Sequence, residues 1–446
     1  MIRRIALALL LSALALPAFA ATVESAAAPV VPFIDDDFPS ALAQAQARNV
    51  PLFVDVWADW CHTCRSMRAF VFTDPTLAPL AQRFVWLEID SEKSVNAPFQ
   101  ERYEVEGLPT LFVIDPHDGA VLLRWLGSTT AKQLVQLLDD TLSAYGKTGE
   151  DALTRTLARA NRLNGEGKYK EAADEFRAVL KLAPAGWDGR ARVTESLVLA
   201  LYAGDVNEEC ANTAEGATEA LSGKSSSANV AATGLLCALR LPAEAPGRSD
   251  LVNHLEKASR AALDDPRVVV PADDRSGVFE ALVMAHEDAG DSKAVKAVAK
   301  EWAAFLDERA RRAASPAARM VFDSHRLSAY LAMGEPQKAV PMLEQAERDA
   351  PNDYNPPARL AIALQAMGHL DEARAATDRA LAHVSGPRRI RVLQTRASIE
   401  KDAGDVAAQR KWLQEALDLA KSLPEGQRST KRIDALSDAL AGLPQS

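Results

Sequence analysis

Two cysteines separated by two residues, in Cys61-His62-Thr63-Cys64, carry the first chemistry that can be read from the chain. They follow an apolar run, Pro51 to Trp57, that reads as a buried strand, and they precede a helix-like stretch, Arg65 to Val71. A thiol at a strand-to-helix junction faces the positive end of the helix, where a thiolate is favoured. Two thiols this close can also close a small disulfide ring. The chemistry is attack of a thiolate on a disulfide sulfur, with Cys61 as the exposed nucleophile and Cys64 resolving the mixed disulfide. A zinc half-site or a structural disulfide would use the same pair, but a zinc site needs a second pair of ligands, and none stands at a matching spacing.

Asp55 lies inside the apolar run, six residues before Cys61. A buried carboxyl stays protonated part of the time, and such a group can take the Cys64 proton when Cys64 attacks. Because strand register is open, a strand-end acid facing solvent is the other reading. His62 stands beside the first cysteine, and its effect on the redox poise is left undecided. Trp60 is expected to frame the active surface, while Trp57 fits that role and core packing equally.

The elements that must position these residues follow in order. A helix over Phe38–Arg48 has an acidic start at Asp35-Asp36-Asp37 and an end at Asn49. After the cysteine turn, Thr73-Asp74-Pro75 opens a short helix running to Arg83. Phe84 to Asp90 is a strand, Val95 to Tyr103 is weakly helical, and Gly107 to Thr110 is a turn. Leu111–Ile114 and Ala120–Leu126 form a hairpin across the turn Asp115 to Gly119, and Thr130 to Tyr145 closes the unit as a helix. The order predicts a mixed sheet with helices on both faces, one compact α/β domain over residues 35–146.

The motifs Ala58-Asp59-Trp60-Cys61, Phe72-Thr73-Asp74-Pro75 and Gly107-Leu108-Pro109-Thr110-Leu111-Phe112 resemble the thioredoxin fold, and most closely the C-terminal thioredoxin-like domain of the DsbD disulfide reductase. The resemblance implies that Pro109 is cis and packs beside the cysteine pair, that Leu108 presents backbone to a substrate chain, and that Asp55 moves the proton. Trp60, His62 and Leu108 would then meet substrate. In such domains a second acid is expected one helical turn after the resolving cysteine. Arg68 stands there, and its charge would favour thiolate.

Residues 1–20 read as a secretory signal, with Arg3 and Arg4, an apolar stretch Ile5–Leu16 and a small-residue site at Ala18-Phe19-Ala20. Residues 21–34 read as a flexible leader. A periplasmic or secreted location is expected, with no membrane span after cleavage, since Ile5–Leu16 is shorter than the ~20 residues a span needs.

Beyond residue 150 strand patterns stop and alanine-rich amphipathic helices take over. Gly167, Gly204, Gly290, Gly334, Gly368 and Gly404 punctuate them, the last three 34 and 36 residues apart. Gly167-Lys168-Tyr169-Lys170-Glu171-Ala172 with Phe176, Leu180 and Pro184 resembles a tetratricopeptide repeat. The fold class is therefore an α/β thioredoxin fold followed by an all-α tetratricopeptide-like helical-repeat domain over 150–446. The stretches around Cys210 and Gly290 fit the repeat poorly. Cys210 and Cys237 fit a disulfide and two separate buried thiols equally well.

His117, His254, His286, His325, His369 and His383 are scattered without metal-ligand spacing, so no metal and no cofactor are expected. A net charge of −10 argues against nucleic acid or anionic lipid as the main partner. The reading is an exported thiol–disulfide oxidoreductase, a reductase in preference to an oxidase. Its partners would be protein disulfides, a membrane thiol reductase as electron donor, and a protein docked in the concave groove of the repeats. The alternative from another class is a non-catalytic interaction scaffold carrying a thioredoxin-like module.

Overall fold

The computed structural model describes residues 29–105, 107–145 and 151–444. The signal read at residues 1–20 lies outside the described residues. The first unit is a five-stranded sheet of order β1-β3-β2-β4-β5, with β1 Phe33–Asp35, β2 Leu52–Trp57, β3 Val85–Asp90, β4 Thr110–Ile114 and β5 Val121–Leu126. β1 and β2 both run parallel to β3, and β4 and β5 are antiparallel to their neighbours. One correction falls at the start of the unit. The leader expected to be loose through residue 34 already belongs to the fold: Val31 is buried, the Val30 N–H donates to the Phe72 carbonyl at 2.9 Å, and β1 pairs with β3. The reason is apolar burial, because Val31 joins the core under one sheet face and Phe33 packs edge-on against Phe72 and Trp86.

Side chains alternate across a strand, so β2 feeds two cores. Leu52, Val54 and Val56 join Ala41, Ala45 and Phe99 on one face; Phe53 joins Met67, Phe72 and Trp86 on the other. Asp55 and Trp57 fall on the Phe53 side. Helix α1 (Phe38–Arg48) is capped by the Asp37 side chain and ends on Asn49 in the left-handed region, as its sequence suggests. Helix α2 (His62–Ser66) starts earlier than the expected Arg65 and passes at Met67–Val71 into a π-helical turn. Pro75–Leu80 is a 3-10 helix rather than an α-helix reaching Arg83, since Pro79 inside it has no N–H to donate. Helix α3 spans Ala97–Arg102, and α4 (Ala131–Ala144) opens with a reciprocal Thr130–Gln133 capping box.

From Ala152 onward the described chain is helical. The punctuating glycines Gly167, Gly290, Gly334, Gly368 and Gly404 take positive φ, the conformation that ends one helix and turns into the next. Gly204 does not; Asp205, with φ 54°, makes that turn. The poorly fitting central region continues the same stack with helices Asn207–Leu221, Ser226–Leu239, Arg248–Asp264 and Ala272–Asp288. Cys210 and Cys237 are joined by a disulfide between the first two, with Cα atoms 6.0 Å apart, which decides between the two readings.

The array packs on the sheet unit along its length. Gly165, near its start, lies against Val121 of β5, so close that a Cβ there would collide with the valine. Gln427, near its end, donates to the Ser91 and Lys93 carbonyls at 2.8 and 3.1 Å.

Candidate active site

Cys61 and Cys64 are closed as a disulfide, Cα atoms 5.2 Å apart. Cys61 is the N-cap of α2, and its sulfur accepts the Cys64 backbone N–H at 3.0 Å. The same N–H is placed to receive a thiolate when the disulfide opens, which lowers the cost of forming that anion. The Leu108–Pro109 peptide is cis. Leu108 packs with Trp57, Ala58, Trp60 and the two cysteines in one small apolar cluster.

Asp55 is fully buried, and neither carboxyl oxygen meets a hydrogen-bond partner. In register it stands beside Glu88 on β3 and Leu111 on β4. Burial pushes its carboxyl up to about 8, the Glu88 charge adds to this, and Arg68 opposes it. Burial also raises Glu88, to about 7, against the pull of Arg68. Arg68 lies 3.1 Å from Glu88 and stacks 3.9 Å over the Trp57 ring, and its charge opposes the rise of both acids. The π-helical turn that carries it, in place of a regular helix, accompanies this placement.

The larger correction concerns exposure. Cys61, expected to be the exposed nucleophile, is 3% exposed, and Cys64 is fully buried. Trp57, Ala58, Trp60 and Leu108 pack on them, and the repeat array packs on the turn that carries them. The Asn355 side chain donates to the Asp59 carbonyl and Arg359 donates to the Trp60 carbonyl, both at 3.3 Å. Arg65 pairs with Asp353 at 3.1 Å. Arg388 lies 4.5 Å over the Trp60 ring and donates its backbone N–H to Glu92, which also accepts the Trp60 indole N–H at 2.8 Å. His62 Nδ1 stands 3.0 Å from Asp273 Oδ1 in helix Ala272–Asp288. Trp60 and His62, expected to meet substrate, meet the protein's own array. A cleft of about 1340 Å³ opens beside this contact, lined from both units by residues that include Trp57, Asp59, Arg65, Arg68, Asp353 and Tyr354.

Asp273, Asp353, Asn355, Arg359 and Arg388 are the contacts that reading the sequence misses. The one local signal was the acidic pair Asp273-Asp274 after Pro271, which reads as an ordinary helix start.

Fold and site together define a thioredoxin-like domain with a Cys-x-x-Cys disulfide, joined to a tetratricopeptide-like array. Residues 34–116 match the family described as thioredoxin-like, and residues 330–397 match a tetratricopeptide-repeat family. The chain is 35% identical over 82 residues to the thiol:disulfide interchange protein DsbD of Pseudoalteromonas atlantica, covering 18% of this chain and 14% of that protein. It is 25% identical over 126 residues to the DsbD of Haemophilus ducreyi, covering 26% of this chain and 22% of that protein. The chain thus spans less than a quarter of the length of these relatives. Among solved structures, a thermophilic tetratricopeptide-repeat protein of Thermus thermophilus aligns at a TM-score of 0.27 and 18% identity, covering 44% of this chain and 92% of that one. No helix among the described residues is long and apolar enough to cross a membrane.

Proposed function

We propose that the chain is an exported thiol–disulfide oxidoreductase that reduces protein disulfides, with the repeat array governing access to its redox face. The observation that carries this reading is Cys61 capping α2, its sulfur already accepting the Cys64 N–H in a domain that keeps a buried acid on β2. In the reduced form the Cys61 thiolate attacks one sulfur of a substrate disulfide. A mixed disulfide forms and one substrate thiolate leaves. Asp55, in the ionised fraction that grows as pH rises toward 8, takes the Cys64 proton; its affinity near 8 is close to the ordinary thiol value of about 8.5, a match that favours transfer. The Cys64 thiolate then attacks Cys61, closing the Cys61–Cys64 disulfide and releasing the second substrate thiolate, which collects the proton. Two electrons pass to the substrate, and an external dithiol must return them; a membrane thiol reductase is the donor class in this reading. The cis Leu108–Pro109 loop holds the substrate chain, and Trp60 and His62 meet it once the array has parted from them. Export to the periplasm rests on the signal pattern at residues 1–20.

The test is trapping. Full-length Cys64→Ala, reduced and mixed with a disulfide-bonded protein, should accumulate a mixed disulfide on Cys61, and Cys61→Ser should accumulate none. Equal capture by both variants sinks the reading.

A further inference from the structure

The structure assigns a metal site to His62, Asp273 and His325, a three-donor site for a zinc-class divalent cation that bridges the redox turn and the repeat array. Each residue offers one ligand atom, and the three atoms lie within 4.8 Å of one another. His62 Nδ1 and His325 Nδ1 stand 3.0 and 3.6 Å from Asp273 Oδ1, and the two imidazole rings have centroids 3.8 Å apart. Two nitrogen or oxygen donors on a tetrahedral zinc, at bond lengths of about 2.0–2.1 Å, stand about 3.3 Å apart. The two separations from Asp273 bracket that value, and the two imidazole donors stand within 4.8 Å of each other.

A second observation points the same way. Asp273 is 6% exposed, and its Oδ2 has no hydrogen-bond partner at bonding distance, although the Ser66 hydroxyl lies near enough to help stabilise the carboxylate. An unpartnered oxygen on a buried carboxylate is costly, and a cation removes that cost. The helix Ala272–Asp288 brings a second acid, Asp274, next to Asp273. Half-buried Asp274 accepts hydrogen bonds from Ser128 and Asn229. Arg359 opposes as the cation that acts on His325, and Asp323 and Asp353 act on it in turn. Three protein donors leave one zinc position for water.

The proposal is independent of the redox activity, because it can be tested on the fully oxidised chain, where all four cysteines are in disulfides. Zinc chloride is titrated into oxidised full-length protein by calorimetry. One equivalent should bind saturably, and Asp273→Asn and His325→Gln should each weaken binding about tenfold or more. Circular dichroism melts identify which variants fold, and a cobalt titration of His325→Gln should lose the tetrahedral visible bands that the parent acquires. The proposal is overturned by no saturable binding up to about 100 μM zinc, by a folded His325→Gln that binds as the parent does, or by binding that vanishes only in Cys61→Ser/Cys64→Ser.

Discussion

Replacing Asp55 by Asn should separate the energetic cost of the buried acid from its use. Asp55 lies between β3 and β4 with no hydrogen-bond partner, and its proton affinity rises from an ordinary 3.8 to about 8, chiefly through burial. The folded state therefore holds this proton until about pH 8, whereas the unfolded chain releases it above about pH 4. Within that window the folded state binds more protons, so stability falls as pH rises and levels off above the folded value. The slope from one such group is about 1.4 kcal/mol per pH unit, which makes about 4 kcal/mol between pH 5 and pH 8. Asn is nearly isosteric and does not titrate. Denaturant melts of oxidised parent and Asp55→Asn at pH 5, 6, 7 and 8 should show the variant gaining on the parent across that range by about this amount, less whatever Glu88 recovers once its neighbour is neutral. The same variant should slow release of the mixed disulfide by about 100-fold, the lower end of general-base contributions. A stability difference that does not change with pH would refute the buried-acid argument. An unchanged release rate would refute the catalytic one.

Two glycines test the closure of the array over the redox face. A Cβ on Gly386 would collide with the Glu92 carbonyl, and one on Gly426 with the Ala97 carbonyl; neither backbone can yield cheaply. Gly386→Ala and Gly426→Ala should therefore raise the rate at which a bulky maleimide labels reduced Cys61, and unchanged labelling would argue that these contacts do not govern access. The Cys210–Cys237 bridge closes a loop of 27 residues, worth about 3.5 kcal/mol in the chain-entropy account. Cys210→Ser/Cys237→Ser should lower the denaturant midpoint of the repeat unit accordingly while leaving disulfide exchange at Cys61 intact.

Much of the thioredoxin-like domain is legible locally. The strand carrying Asp55, the Asn49 helix end and the Thr130 start each follow from a few adjacent residues, because caps and alternation are short-range physics. The apolar neighbours of Asp55 in β2 point to burial, but the register against β3 and β4 that decides it is a long-range property. The packing of the array on the Cys61 turn was not legible. It depends on residues 211 to 328 positions away, such as Asp273 with His62 and Arg388 over the Trp60 ring, which no local pattern connects. His325 looked like one scattered histidine because its partners lie on other elements. Even the repeat punctuation has a local exception at Gly204, where the neighbouring aspartate takes the left-handed turn.

Cys61–Cys64 acts as an exchanging disulfide in the proposed function, and a structural staple at the same place would remove that function altogether. The two are separated by the equilibrium of the pair with glutathione and dithiothreitol buffers of graded potential, read by mass spectrometry of alkylated full-length protein. An exchanging pair gives a single two-electron transition between about −270 and −120 mV, the span of Cys-x-x-Cys exchange proteins, and that is the expected result. A pair that stays oxidised below about −300 mV, as structural disulfides do, would contradict it.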